Sequence, residues 1–103
     1  QGLGYALTER FVLEEGHMLT PNLATYTIPT ACDIPDMTSF AIEEPEETGP
    51  FGMKGIGEIG INGPIPAIAN ALRDAIGIRL DAAPFTGEAV LEAMARQKAG
   101  EET

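Results

Sequence analysis

Apolar and polar positions alternate with three different rhythms along this chain, and each rhythm predicts an element. In residues 1–10 Leu3, Ala6 and Leu7 fall on one face at helical spacing, which predicts a helix or its C-terminal end. Phe11 to Leu13, the Glu15-Gly16 pair and then Met18-Leu19 predict a hairpin with a glycine-containing turn. Leu23 to Ile28 is rich in β-branched and aromatic residues and is expected to be extended, ending at Pro29, which cannot donate to a ladder. Residues 30–36 contain Pro35 and read as a connecting loop. From Thr38 to Glu43 the period is two. Thr38, Phe40 and Ile42 point one way and Ser39, Ala41 and Glu43 the other, the pattern of a half-buried strand.

The helical period returns near the C-terminus. Pro66 suits a first helical position, Ile68, Leu72 and Ile76 form an apolar stripe, and Gly77 is a natural stop. Thr86 is placed to cap a last helix whose apolar face holds Val90, Leu91 and Met94, with a polar, frayed tail from Ala99. A short helix, three to four strands, a glycine-rich loop and two closing helices make the expected fold class α+β, because strands and helices cluster rather than alternate.

Composition narrows the function. At 103 residues the chain is expected to be a single domain (1–103), and its beginning inside an apparent element marks it as a piece of something longer. Sixteen acidic residues against six basic ones give a net charge of −10, which disfavours nucleic acid and anionic lipid surfaces as partners. One cysteine, Cys32, and one histidine, His17, provide neither an internal disulfide nor a thiolate or imidazole metal cluster. No apolar run reaches the ~20 residues of a membrane span. Glu43-Glu-Pro-Glu-Glu47 is a self-repelling, solvated loop that leads into the most distinctive stretch, Gly49-Pro-Phe-Gly-Met-Lys-Gly-Ile-Gly-Glu-Ile-Gly60.

That stretch admits three readings. Gly55 to Gly60 fits G-x-G-x-x-G, but the dinucleotide mechanism needs a strand before it and a helix directly after it. Pro50 and Asn62-Gly-Pro deny both. The second reading is a sharp turn in which Glu58 is only a surface residue. The third is catalytic: Glu58 is a general base between Ile56 and Ile59, strengthened by partial desolvation, on a loop whose glycines allow close approach.

Three segments, QGLGYALTE at 1–9, LATYTIPTACDIPDM at 23–37 and GPFGMKGIGE at 49–58, stand in an order that resembles the C-terminal part of the molybdenum-binding subunit of the xanthine dehydrogenase / aldehyde oxidase family of molybdenum hydroxylases. The helix ANALRDAIGIRL at 69–80 and Pro84-Phe-Thr continue the resemblance, so it covers essentially the whole chain. It implies that Glu58 is the active-site base beside a molybdopterin-type molybdenum cofactor. There it would deprotonate a metal-bound oxygen that attacks an electron-poor carbon of an N-heterocycle or aldehyde. Gly55 and Gly57 would lie against the cofactor, while Lys54 reads as a surface or loop-bracing cation. The implied partners are the rest of the molybdenum-binding subunit, iron–sulfur and FAD subunits or domains, and a small-molecule substrate, in a cytoplasmic setting. The isolated chain, holding one wall of such a site, is expected to bind no cofactor and to be inactive. The rival from another class is a non-catalytic acidic interaction domain derived from the same fold.

Overall fold

The computed structural model describes residues 1–101. The element order is α1 (Gly2–Leu7), β1 (Leu13–Glu14), β2 (His17–Met18), a 3-10 turn at Pro50–Gly52, a second at Ile59–Asn62, α2 (Pro64–Ile76) and α3 (Gly87–Glu101). The class is α+β, as expected, but among the described residues the sheet consists of β1 and β2 alone rather than three or four strands.

The hairpin forms where the pattern placed it, with Leu13 opposite Met18 and Glu14 opposite His17. Its loop residues Glu15 and Gly16 have φ of 48° and 81°, and positive φ at both loop positions matches the right-handed twist of the strands. Leu23 to Ile28 departs from its expected extended form. The Asn22 side chain accepts a hydrogen bond from the Ala24 N–H at 3.0 Å, and the Asn22 carbonyl accepts from the Thr25 and Tyr26 N–H groups. An asparagine that satisfies the backbone locally turns the chain before a strand can start. Only from Thr27 does the path straighten.

Thr38 to Glu43 carries neither turn nor bend and joins no sheet. Its half-buried face is not realised within this chain: Phe40 is 84% and Ile42 86% exposed.

The packing centre is a small knot at the N-terminus. Gly2, Gly4 and Ala6 are the buried residues of α1, which packs on α2 and on the second 3-10 turn. A Cβ at Gly2 would meet Pro64 Cγ at 2.6 Å and the Ile61 carbonyl oxygen at 3.0 Å, so the absence of a side chain is what lets these elements touch. Phe85 is buried beside them, and its N–H donates to the Ala6 carbonyl at 2.6 Å. Glu9 and Tyr26 close the other end: the Tyr26 hydroxyl donates to the Glu9 carboxylate at 2.6 Å.

Helix α2 starts at Pro64, two residues earlier than expected, because Pro64 fits the opening turn as well as Pro66 does. It ends at Gly77, which adopts φ 73° and donates its N–H to the Arg73 carbonyl. Ile68, Leu72 and Ile76 are half-buried, in line with the stripe. Helix α3 is capped by Thr86, whose hydroxyl accepts from the Ala89 N–H at 3.2 Å. Val90 and Met94 are half-buried and Leu91 is exposed, and the helix runs through Ala99 to Glu101 rather than fraying there. The rest of the expected tail, residues 102–103, lies outside the described residues.

Among the described residues, Ala6 and Phe85 are the buried apolar side chains. The radius of gyration is 18.4 Å, with extents of 60 × 37 × 28 Å, against about 13 Å for a compact domain of this length. Its accessible surface of 8642 Å² compares with roughly 5,600 Å² for a compact protein of this mass. About 3,000 Å² of surface is therefore exposed that a self-sufficient domain would bury. This chain does not close around a core of its own.

Candidate functional site

Glu58 sits where the glycine-rich stretch meets the knot. The segment leading to it first closes on itself: the Glu46 N–H donates to the Gly52 carbonyl, and the Gly49 N–H to the Glu46 carbonyl, both at 3.1 Å. The Glu46 carboxylate accepts from the Thr48 hydroxyl at 2.9 Å and the Thr48 N–H at 3.2 Å. Those two donors hold the Glu46 carboxyl below the usual carboxylate range, the hydroxyl contributing most. Phe51 lies at the tip with φ 56° and is 99% exposed, an aromatic residue held in a left-handed conformation and turned to solvent.

After Met53 the chain is unpaired until Glu58, whose carbonyl accepts from the Ile61 N–H at 3.1 Å and opens the second 3-10 turn. Because α1 packs on this turn, Gln1 is brought over the loop, and its side-chain amide donates to Glu58 Oε1 at 3.4 Å. The two residues are 57 positions apart. Beside them opens a cleft of about 500 Å³ whose walls come from Leu3, Ile34, Pro35, Met37, Ile61 and Ile68, with Gly57 and Gly60 at the edge. The arrangement is an apolar concavity with one carboxylate and one amide at its polar end. That suits a ligand with an apolar body and a group that loses a proton.

The sequence-predicted residues are placed as follows. Glu58 lines this cleft but is exposed, so the desolvation expected for it has no source among the described residues. Gly57 lines the cleft with it, whereas Gly55 does not. Gly55, Gly57 and Gly60 all lack the positive φ that demands glycine, and a Cβ at any of them would meet nothing within 4 Å. Lys54 is exposed, and the ion pair among the described residues is Arg79 with Asp81, elsewhere on the surface. The dinucleotide reading fails on geometry: the glycines lead into a 3-10 turn, and α2 opens only at Pro64. The described residues hold no group of three or more histidine, cysteine, aspartate or glutamate side chains able to bind a metal ion. No helix among them is long and apolar enough to cross a membrane.

Sequence reasoning missed Gln1, Ile34, Pro35 and Met37 as cleft residues. The signal for Gln1 was the Gly2 and Gly4 pair beside it, which permits the close approach of α1. Ile34 and Pro35 read as part of a connecting loop, and Met37 falls in no predicted element, because a wall without regular structure has no periodicity.

Known proteins are similar to this chain over most of its length. The profile of the molybdopterin cofactor-binding domain matches residues 1–35. The chain is 42% identical over 96 residues to the probable hypoxanthine oxidase of Escherichia coli (strain K12), covering 91% of this chain and 10% of that protein. It is 39% identical over 95 residues to a probable xanthine dehydrogenase subunit of Bacillus subtilis (strain 168), covering 92% and 13% respectively. Among solved structures it superposes on quinoline 2-oxidoreductase from Pseudomonas putida 86 with a TM-score of 0.81 and 27% identity, over 92% of this chain and 13% of that one. The chain thus spans about a tenth of the length of the curated relatives it matches.

Proposed function

Because the chain belongs to the molybdenum hydroxylase family, we propose that it forms one wall of the active site of a xanthine dehydrogenase- or aldehyde oxidoreductase-like enzyme, with Glu58 as the active-site base. The observation that carries this reading is Glu58 at the polar end of an apolar cleft, with the Gln1 amide on its carboxylate. The loop also fits a bulky group approaching from outside: around Gly55, Gly57 and Gly60 the chain leaves open the space a side chain would fill.

When bound, the molybdenum cofactor supplies oxygen transfer to carbon and takes up the electrons released. Gly57 and Gly55 would leave their backbone open for it to come close, and the Glu58 carboxylate would serve as the acceptor for a proton released at that site. Gln1 donates to one carboxylate oxygen, leaving the other free to receive that proton. Leu3, Ile61 and Ile68 exclude water from one side of the substrate. The remaining walls, the iron–sulfur and FAD partners and the specificity for an N-heterocycle or an aldehyde belong to the rest of the enzyme.

In the longer enzyme Glu58→Gln should keep molybdenum content and fold while lowering turnover at least ~10²-fold, the usual worth of a positioned base. Retained turnover would sink the assignment. The isolated 103-residue chain is expected to hold no molybdenum, and stoichiometric metal in the purified chain would refute the one-wall reading.

A further inference from the structure

Residues 38–43 combine three properties that do not belong together in a free chain. Their side chains alternate strictly, with Thr38, Phe40 and Ile42 on one face and Ser39, Ala41 and Glu43 on the other. Their backbone carries neither turn nor bend, and among the described residues none of positions 34–45 makes a backbone hydrogen bond. Their apolar face is bare, with Phe40 and Ile42 more than four-fifths exposed. Alternation of this kind has physical use only on a sheet with one face covered. The only sheet among the described residues, β1 with β2, pairs elsewhere.

We propose that residues 38–43 are a β-strand that adds to an open sheet edge in the remainder of a longer polypeptide. Phe40 and Ile42 would be pressed into the core beneath that sheet. The inference rests on reading the chain as part of a larger subunit. Two observations favour that occupant over a second copy of this chain. The relatives extend roughly nine-tenths of their length beyond the matched region. About 3,000 Å² of surplus surface on this one chain is in the range of an obligate, core-like interface rather than a standard contact of about 800 Å² per partner. Pro45 sets the strand's limit, since it brings no N–H to a ladder.

Hydrogen exchange on the longer enzyme tests this. Amides within 38–43 should exchange at least ~10²-fold more slowly than unstructured peptide rates, every second one if the strand lies at the new edge and all if it lies inside. Ile42→Ala should speed that exchange ~30-fold or more, while Glu43→Ala on the opposite face should change it less than ~3-fold. Unstructured rates in an active enzyme would overturn the inference and leave the role of Glu58 untouched. Equal acceleration by the two variants would overturn the assignment of faces. Protection that appears only at concentrations where the particle doubles in size would replace the sheet edge with a second copy. Loss of Glu58 function with protection unchanged, or the reverse, separates the two proposals.

Discussion

A Cβ added at Gly2 would lie 2.6 Å from Pro64 Cγ, and one at Gly4 would lie 2.8 Å from Pro29 Cδ and against the Glu9 carboxylate. A Cβ added at Gly55, Gly57 or Gly60 would meet nothing. The same residue is used for opposite reasons in two regions of one chain. In the knot the reason for glycine is internal, since α1 approaches α2 and the second 3-10 turn too closely for any side chain. At these three loop positions neither packing nor backbone conformation asks for glycine. Whatever the loop glycines accommodate therefore comes from outside these residues, as an enzyme site completed by other walls would require.

The contrast can be broken by measurement. Gly2→Ala in the longer enzyme should cost about 1–3 kcal/mol of stability, because Pro64 and the Ile61 carbonyl must shift to admit the methyl group. Denaturant unfolding reads this directly, and an unchanged midpoint would show that the knot is looser than its geometry. Gly57→Ala should do the reverse: stability within about 0.5 kcal/mol of the parent, as for any open surface position. If the loop lies against a bound group, its turnover should nevertheless fall about 10-fold or more through misplacement of reacting atoms. Equal effects of both variants on stability would erase the distinction between the regions.

The smallest expected effect lies at the knot's edge. The Glu9 carboxylate accepts the Tyr26 hydroxyl proton, and this hydrogen bond, with lesser contributions from desolvation and nearby charge, pushes Tyr26 up from 10.0 to about 12. A raised folded-state value means that the stabilisation is whole below about pH 10 and is lost as pH rises toward about 12. Alkaline absorbance titration should place this phenol near the upper value, and Glu9→Gln should bring it down. A midpoint unmoved by Glu9→Gln would show that another group holds Tyr26. Asp33 has the opposite sign. The Thr30 hydroxyl and N–H, each 2.7 Å from its Oδ2, hold its carboxyl below the usual range, so that contribution is present above the range and fades as pH falls.

How much of this was legible in the sequence depended on where each residue finds its partner. The hairpin at Glu15-Gly16, the cap at Thr86 and the stop at Gly77 are decided within a few residues, and all three form as the pattern predicts. Glu58 stood out through its glycine setting, and it does line the cleft. Leu23 to Ile28 misled because propensity favoured a strand while one side chain, Asn22, offered a nearer set of hydrogen bonds. Gln1 and Met37 were invisible as site residues because contacts between distant positions leave no period. Thr38 to Glu43 shows a third kind of gap: its pattern describes a surface that the described residues do not contain.

The acidic run at residues 43–47 has a consequence for synthesis as well as for structure. A strand that carries Phe40 and Ile42 in the open, before its sheet is available, is a template for aggregation. Glu43 at its end and three further carboxylates with a proline immediately after it act as gatekeepers, since charge repels a stacking neighbour and Pro45 interrupts the spread of pairing. Neutralising Glu43, Glu44, Glu46 and Glu47 should therefore appear first as inclusion bodies in a growing culture, while the molecules that do fold work as before.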